Sequence, residues 1–230
     1  MASPQQQPIR REIRSFVRRE GRITPAQREA VEKLWPEYGL EKSDLSDLDN
    51  VFGRKAPRFM EIGCGTGDAI ISLARENPDN DYIGIEVYLP GLGSILQAIE
   101  KYQLTNVRLL RNDAMECLRQ TMPDRSLDGV MVFFPDPWPK KRHNKRRLIQ
   151  PKFLSLIAKK LKRNGRLFIG TDWQDYADHI IEITADHPEL SNLAGAEVYA
   201  PRPAWRPLTR YEKRALRLDH IVRDFVFSLK

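Results

Sequence analysis

The chain contains very little cysteine: Cys64 and Cys117 are the two thiols in 230 residues. Two thiols so far apart make neither a disulfide framework nor a cysteine metal cluster, and they point to a reduced, cytoplasmic setting. No apolar run approaches bilayer-spanning length, so no membrane contact is expected. No signal-peptide h-region opens the chain. Internal repeats and long low-complexity tracts are absent too. Acids are in deficit, with 31 Asp+Glu against 38 Lys+Arg and a net charge of +7. That balance points to a polyanionic partner and says nothing about fold. A chain of this length is expected to form one domain with a full core, as a monomer or homodimer and without a metal.

What is present is concentrated. Residues 59–68 read Phe-Met-Glu-Ile-Gly-Cys-Gly-Thr-Gly-Asp. An apolar strand ends at Ile62, and Gly63, Gly65 and Gly67 then let the backbone turn tightly and approach a ligand. Ile70, Ile71, Leu73 and Ala74 follow at helical spacing. Strand, glycine turn and helix form the plan of a nucleotide-type cofactor site. The dinucleotide fingerprint needs a further glycine where this chain has Asp68. Glu61, two residues before Gly63, would repel a pyrophosphate. An acid there suits a cofactor with an ammonium group and no phosphate, which describes S-adenosyl-L-methionine.

Around this motif, strands are expected at 58–62, 81–86, 107–111, 127–134, 165–171 and 220–228. Helices are expected at 25–35, 67–76, 91–102, 113–120, 150–162 and 173–186. The alternation implies an α/β fold, a mostly parallel sheet with helices on both faces. Thr24 and Pro25 open the first helix, Asp172 is placed to cap the 173–186 helix, and Gly165 reads as a helix C-terminal glycine. The acidic stretch 41–50 reads as loop or frayed turn. Residues 1–52 are expected to be a flexible basic arm with a short helix, and 53–230 the catalytic domain. The arm carries Arg10, Arg11, Arg14, Arg18, Arg19 and Arg22. Glu12 and Glu20 argue against an organellar transit peptide, leaving an RNA-touching arm or a solvated tail.

The ends of the expected strands carry the remaining chemistry. Glu86 ends the second, some twenty residues after the glycines, where a carboxylate holds two ribose hydroxyls. Asn112 or Asp113, after the third, can meet an adenine edge or cap the next helix. Asp136, after the fourth, lies in Phe-Phe-Pro-Asp-Pro-Trp-Pro, where two prolines stiffen its loop. Lys140, Lys141, Arg142, His143, Asn144, Lys145, Arg146 and Arg147 follow at once, placing a phosphate-binding surface beside Asp136. Asp172 puts a second carboxylate on the same rim. Thr209 and Glu212, read alone, are a helix cap and its capping-box partner.

At these residues the chain resembles the bacterial tRNA (guanine-N7-)-methyltransferases of the TrmB family. The match runs from about Arg10 to the C-terminus. It rests on the 133–147 segment, on Thr171-Asp172-Trp173, on Pro201 to Glu212 and on Arg14 to Arg22. The resemblance implies a class I, Rossmann-like methyltransferase with a seven-stranded sheet, acting on a guanine in the tRNA variable loop. It implies cofactor contacts from Glu61, Glu86, Asp113 and Asp136, with Asp136 catalytic. It implies substrate contacts from Lys140, Asp172 and the Thr209, Arg210, Tyr211 and Glu212 segment, and RNA contacts from Arg142 to Arg147. The family often has Lys at the position of Arg210, and an Arg fork holds phosphate differently.

Guanine N7 has an in-plane lone pair and no proton, so its methylation needs alignment rather than a strong base. Carboxylates near the ring favour the positive charge that develops on it. Asp136 and Asp172 both suit that role, and sequence does not choose between them. A methyltransferase for another RNA or a small molecule, an RNA-binding protein with a silent site, and an NAD-linked oxidoreductase are the competing readings. The basic loop disfavours a small molecule, the intact acids disfavour a silent site, and Asp68 disfavours NAD.

Overall fold

The computed structural model describes residues 21–230. The proposed RNA-touching cations of the arm, Arg10 to Arg19, lie outside the described residues. Helix α1 (Pro25–Tyr38) starts with a reciprocal capping box between Thr24 and Gln27, and Pro25 fills its first turn. It packs on α4 (Leu89–Tyr102), where Gln27 reaches Ser94 at 2.9 Å. Strand β1 (Gly39–Leu40), a 3-10 turn at 42–46 and α2 (Leu48–Phe52) follow. The 41–50 stretch is therefore ordered rather than loop. Asp47 caps α2, and Leu45 and Leu48 sink into the core. Its acids serve as helix caps while its leucines supply the burial.

The remaining elements alternate. They are β2 (Arg58–Ile62), α3 (Asp68–Glu76), β3 (Asp81–Ile85), then α4, β4 (Val107–Leu110), α5 (Ala114–Gln120), β5 (Leu127–Phe133), α6 (Pro151–Lys160), β6 (Leu161–Thr171), α7 (Gln174–Ala185), β7 (Leu190–Asn192), α8 (Arg210–Arg217) and β8 (Arg223–Leu229). Among the described residues, their strands and β1 build one sheet of 8 strands in the order β1-β4-β3-β2-β5-β6-β8-β7. Strands β1 to β6 run parallel, while β8 lies antiparallel between β6 and β7. The sheet thus exceeds the seven strands expected. Neither β1 nor β7 is among the strands expected by residue: β7 pairs with the end of β8, and β1, two residues long, owes its place to pairing with Leu109 and Leu110 of β4 rather than to any local pattern.

Period-2 alternation splits the strand side chains between two layers. Met60, Ile62, Ile83, Ile85, Val130 and Val132 pack with α6 and α7. Tyr82, Leu109, Met131 and Phe133 pack with α1, α3 and α4. Gly165 does not end a helix. Helix α6 stops at Lys160 with an extended Leu161, and Gly165 sits inside β6, where a Cβ would lie 2.9 Å from the Leu127 carbonyl oxygen. Asp172 does not cap α7 either. Trp173 occupies that position, and the Asp172 carboxylate faces His220 Nδ1 at 3.2 Å.

The consequence for function is topological. From β2 the chain moves to β3 on one side, and β5 returns on the other, so the crevice at their carboxyl ends is a switch point.

Candidate active site

A cleft of about 530 Å³ opens at that crevice. Glu61, Gly63 and Gly65 line it from the end of β2, Glu86 and Tyr88 from β3, Asn112 from β4, and Phe134 and Asp136 from β5. Thr209, Arg210 and Tyr211, at the start of α8, close the far side. Gly63 and Gly65 hold φ of 74° and 56°, and a Cβ on Gly63 would meet nothing within 4 Å among the described residues. Their bare backbone is a cradle open to a ligand. Gly67 differs: it is buried, starts α3 at φ 85°, and a Cβ there would strike Ile95 at 2.6 Å. It is needed for packing and for its backbone conformation, and it does not line the cleft.

Glu61 is the most unusual acid in the cleft. It is buried, and its Oε2 has no hydrogen-bond partner among the described residues. Burial, with smaller contributions from Glu86 and Asp68, pushes its carboxyl up to about 8 against the opposing pull of the Ile70 backbone N–H. An ammonium group would satisfy the orphan oxygen and restore the anion. Glu86 accepts from Gly65 N–H at 2.8 Å, Val87 N–H at 2.7 Å and Tyr88 N–H at 3.0 Å. The same carboxylate that suits a ribose therefore braces the glycine turn. Glu86→Ala is expected to weaken binding of S-adenosyl-L-methionine, the cofactor the sequence points to, by about 1.5–3 kcal/mol. Glu86→Gln, which keeps one acceptor oxygen, should lose less. Calorimetry checks both, and unchanged affinity in the Ala variant would remove Glu86 from the site. Asp113 spends its side chain capping α5 at Met115 N–H, 2.8 Å, while neighbouring Asn112 faces the cleft.

Asp136 is exposed at the cleft, between two aromatic residues in the left-handed region: Phe134 at φ 53° and Trp138 at φ 48°. Such conformations cost about 1–3 kcal/mol each and persist only where neighbours hold them. Phe134 N–H donates to Gly170 O at 2.7 Å, and its ring stacks on Tyr211 at 6.4 Å. Trp138 lies against Arg146 at 4.4 Å and His143 at 6.0 Å. The Asn144 amide, with its nitrogen turned inward, donates to the Trp138 carbonyl at 3.0 Å.

Residues 141–146 form a 3-10 turn that presents Lys141, Arg142 and Lys145 to solvent, with Lys140 exposed just before it. Loss of hydration and the charges of Arg142, Arg146, Lys140 and Lys145 hold the His143 imidazole below its ordinary range. Arg147 departs from the surface role read for it. Its side chain is 1% exposed and paired with Asp175, so it cannot meet a phosphate without unpacking.

Glu212 is also internal. Arg206 clasps it with bonds of 2.6 and 3.0 Å, Arg202 adds one of 2.8 Å, and Arg206 reaches Asp224 on β8 at 3.0 Å. Thr209 caps α8 by accepting from Glu212 N–H at 3.2 Å, but the Glu212 carboxylate does not return the bond. Burial raises the Asp224 carboxyl against the pull of Arg206. Arg206, fully buried, also lies against Phe133 and Phe134 at 5.6 and 5.8 Å. No short-range sequence signal marks it, because its partner on β8 is 18 positions away. Asp68 accepts from Arg210 N–H at 2.7 Å and so ties α8 to the glycine turn. Asp172 and Lys140 stand outside the cleft lining.

The family model described as "Putative methyltransferase" matches residues 55–225. Beyond that, the chain is 50% identical over 221 residues to the tRNA (guanine-N(7)-)-methyltransferase of Nitrosospira multiformis, covering 96% of each. It is 49% identical to the enzyme of that name from Nitrosomonas europaea, covering 94% of this chain and 96% of that one. The chain belongs to the tRNA (guanine-N(7)-)-methyltransferase family. Solved structures agree on the fold. The 16S rRNA methyltransferase KamB matches with a TM-score of 0.56 at 16% identity, over 83% of this chain and 95% of that one. The aminoglycoside resistance methyltransferase NpmB1 matches at 0.53 and 18% identity, over 81% and 93%. Among the described residues, no helix is long and apolar enough to cross a membrane.

Proposed function

We propose that this enzyme moves a methyl group from S-adenosyl-L-methionine to N7 of a guanine in the tRNA variable loop. One observation carries the reading: the orphaned Glu61 oxygen and Asp136 line one cleft, and a turn of exposed cations begins just beyond it. Bound there, the donor supplies an electrophilic methyl group. Glu61 holds its ammonium, Gly63 and Gly65 admit it closely, Glu86 takes the ribose hydroxyls and Asn112 the adenine edge. Asp136 lines the cleft whereas Asp172 is paired with His220, which favours Asp136 as the carboxylate facing guanine. It accepts from the base's N–H groups and offsets charge growing on the ring. Thr209, Arg210 and Tyr211 lie opposite, with the Tyr211 ring open to a base. Lys140, Arg142, Lys145 and Arg146 hold phosphates.

Transfer of a labelled methyl group tests this, with unmodified tRNA, ribosomal RNA and free guanosine as competing acceptors. Label in tRNA alone is expected. Preference for another acceptor would overturn the substrate, and calorimetric binding of NAD in place of the methyl donor would overturn the reaction class. The phosphate role has its own check. Neutralising Arg142, Lys145 and Arg146 together should flatten the salt dependence of tRNA binding, by about 0.7–0.9 in slope for each phosphate no longer neutralised. Donor affinity should hardly move. A wild-type slope would make the turn an ordinary solvated surface.

A further inference from the structure

Asp136 is exposed on a loop that carries two strained aromatic residues, so something must fix its position. The side chain placed to do so is Arg147. Its Nε donates to Pro137 O, the carbonyl of the residue after Asp136, at 3.0 Å. The other end of the guanidinium donates to the Asp175 carbonyl at 3.2 Å and pairs with the Asp175 carboxylate. Its Cζ lies 4.8 Å from the centroid of the Tyr176 ring, which is itself pinned by Ile149 N–H to its hydroxyl at 2.9 Å. Arg147 thus joins the Asp136 loop to the first turn of α7 across a single planar group. Its backbone N–H, donating to Asn144 O at 3.0 Å, also closes the cationic turn.

We propose that Arg147 is a positioning residue for the methyl transfer, setting Asp136 through the Pro137 carbonyl rather than binding RNA. The proposal rests on the activity proposed above for its rate consequences, but its structural part stands apart from it. A lysine cannot replace the fork: one ammonium reaches Pro137 or Asp175, not both in the same plane. Asp175 is the second handle. Its side chain is 62% exposed, so Asp175→Asn removes the charge of the clamp without emptying the core.

The experiment compares wild type, Arg147→Lys and Asp175→Asn in the full chain. Hydrogen exchange followed by mass spectrometry reads the 134–147 segment, and single-turnover methylation reads the rate with tRNA and donor saturating. The salt slope of tRNA binding and the donor Kd complete the set. Faster exchange is expected in both variants at the protected amides of the segment, Phe134 N–H on Gly170 O, His143 N–H on Lys140 O and the residue-147 N–H on Asn144 O. Rates should fall on the order of tenfold for Arg147→Lys, from misplacement of a reacting-site group, and less for Asp175→Asn. The salt slope and donor Kd should stay at wild-type values, which separates positioning from phosphate contact. Unchanged exchange and rate would overturn the proposal. So would a drop in salt slope matching the loss of Arg142, which would make Arg147 a phosphate ligand. If wild type itself methylates no tRNA, the proposed activity fails, and hydrogen exchange alone still decides whether Arg147 orders the loop.

Discussion

Asp136→Asn is expected to slow methyl transfer about a hundredfold at saturating tRNA and donor, while tRNA affinity should stay within roughly twofold. Asn keeps the shape and one acceptor oxygen but loses the anion. The interaction that disappears is the one that grows as the purine becomes cationic, so the rate falls and binding does not. Guanine N7 has no proton to remove. No rise of rate with pH across neutrality should therefore be assignable to Asp136. Paired single-turnover pH profiles of wild type and variant measure this. Equal rates would remove Asp136 from the reaction. A deprotonation step present in wild type and lost in the variant would show base catalysis instead.

The second large effect is expected at Glu61. Its carboxyl, pushed up to about 8 from an ordinary 4.5, holds a proton in the folded protein that the unfolded chain releases over that window. Stability from this group is full below about pH 4.5 and is lost as pH rises through about 8. An ammonium beside the orphan oxygen reverses the preference and drives the proton off. Calorimetry of donor binding at pH 7 should therefore depend on the ionisation enthalpy of the buffer. Glu61→Gln should abolish that dependence and raise Kd by roughly 30- to 1000-fold, about 2–4 kcal/mol. Without donor, the same variant should melt higher than wild type above pH 8, because no charge is forced into the interior. Wild-type affinity with buffer-independent heats would place the ammonium elsewhere.

Much of this was legible because it is local. The glycine turn, the buried face of α3 at Ile70, Ile71, Leu73 and Ala74, and the acids at strand ends all declare themselves within a few residues. Where neighbours decide, the pattern misleads. Strand β1 exists only because β4 lies beside it. Arg147 reads as one more cation in a run of cations, yet Asp175, 28 positions on, draws it inside. Glu212 has the spacing of a capping-box partner, and two arginines claim its carboxylate instead. Gly67 looks like a third cofactor glycine, and Ile95 of α4 explains why it has no side chain.

The measurement that bears most directly on the whole account is nucleoside mapping of an unmodified tRNA incubated with the protein and S-adenosyl-L-methionine. Digestion and mass spectrometry should find a single added methyl group, on one guanine of the variable loop, released as 7-methylguanosine. Methylation at another atom or base, or none with donor bound, would contradict it.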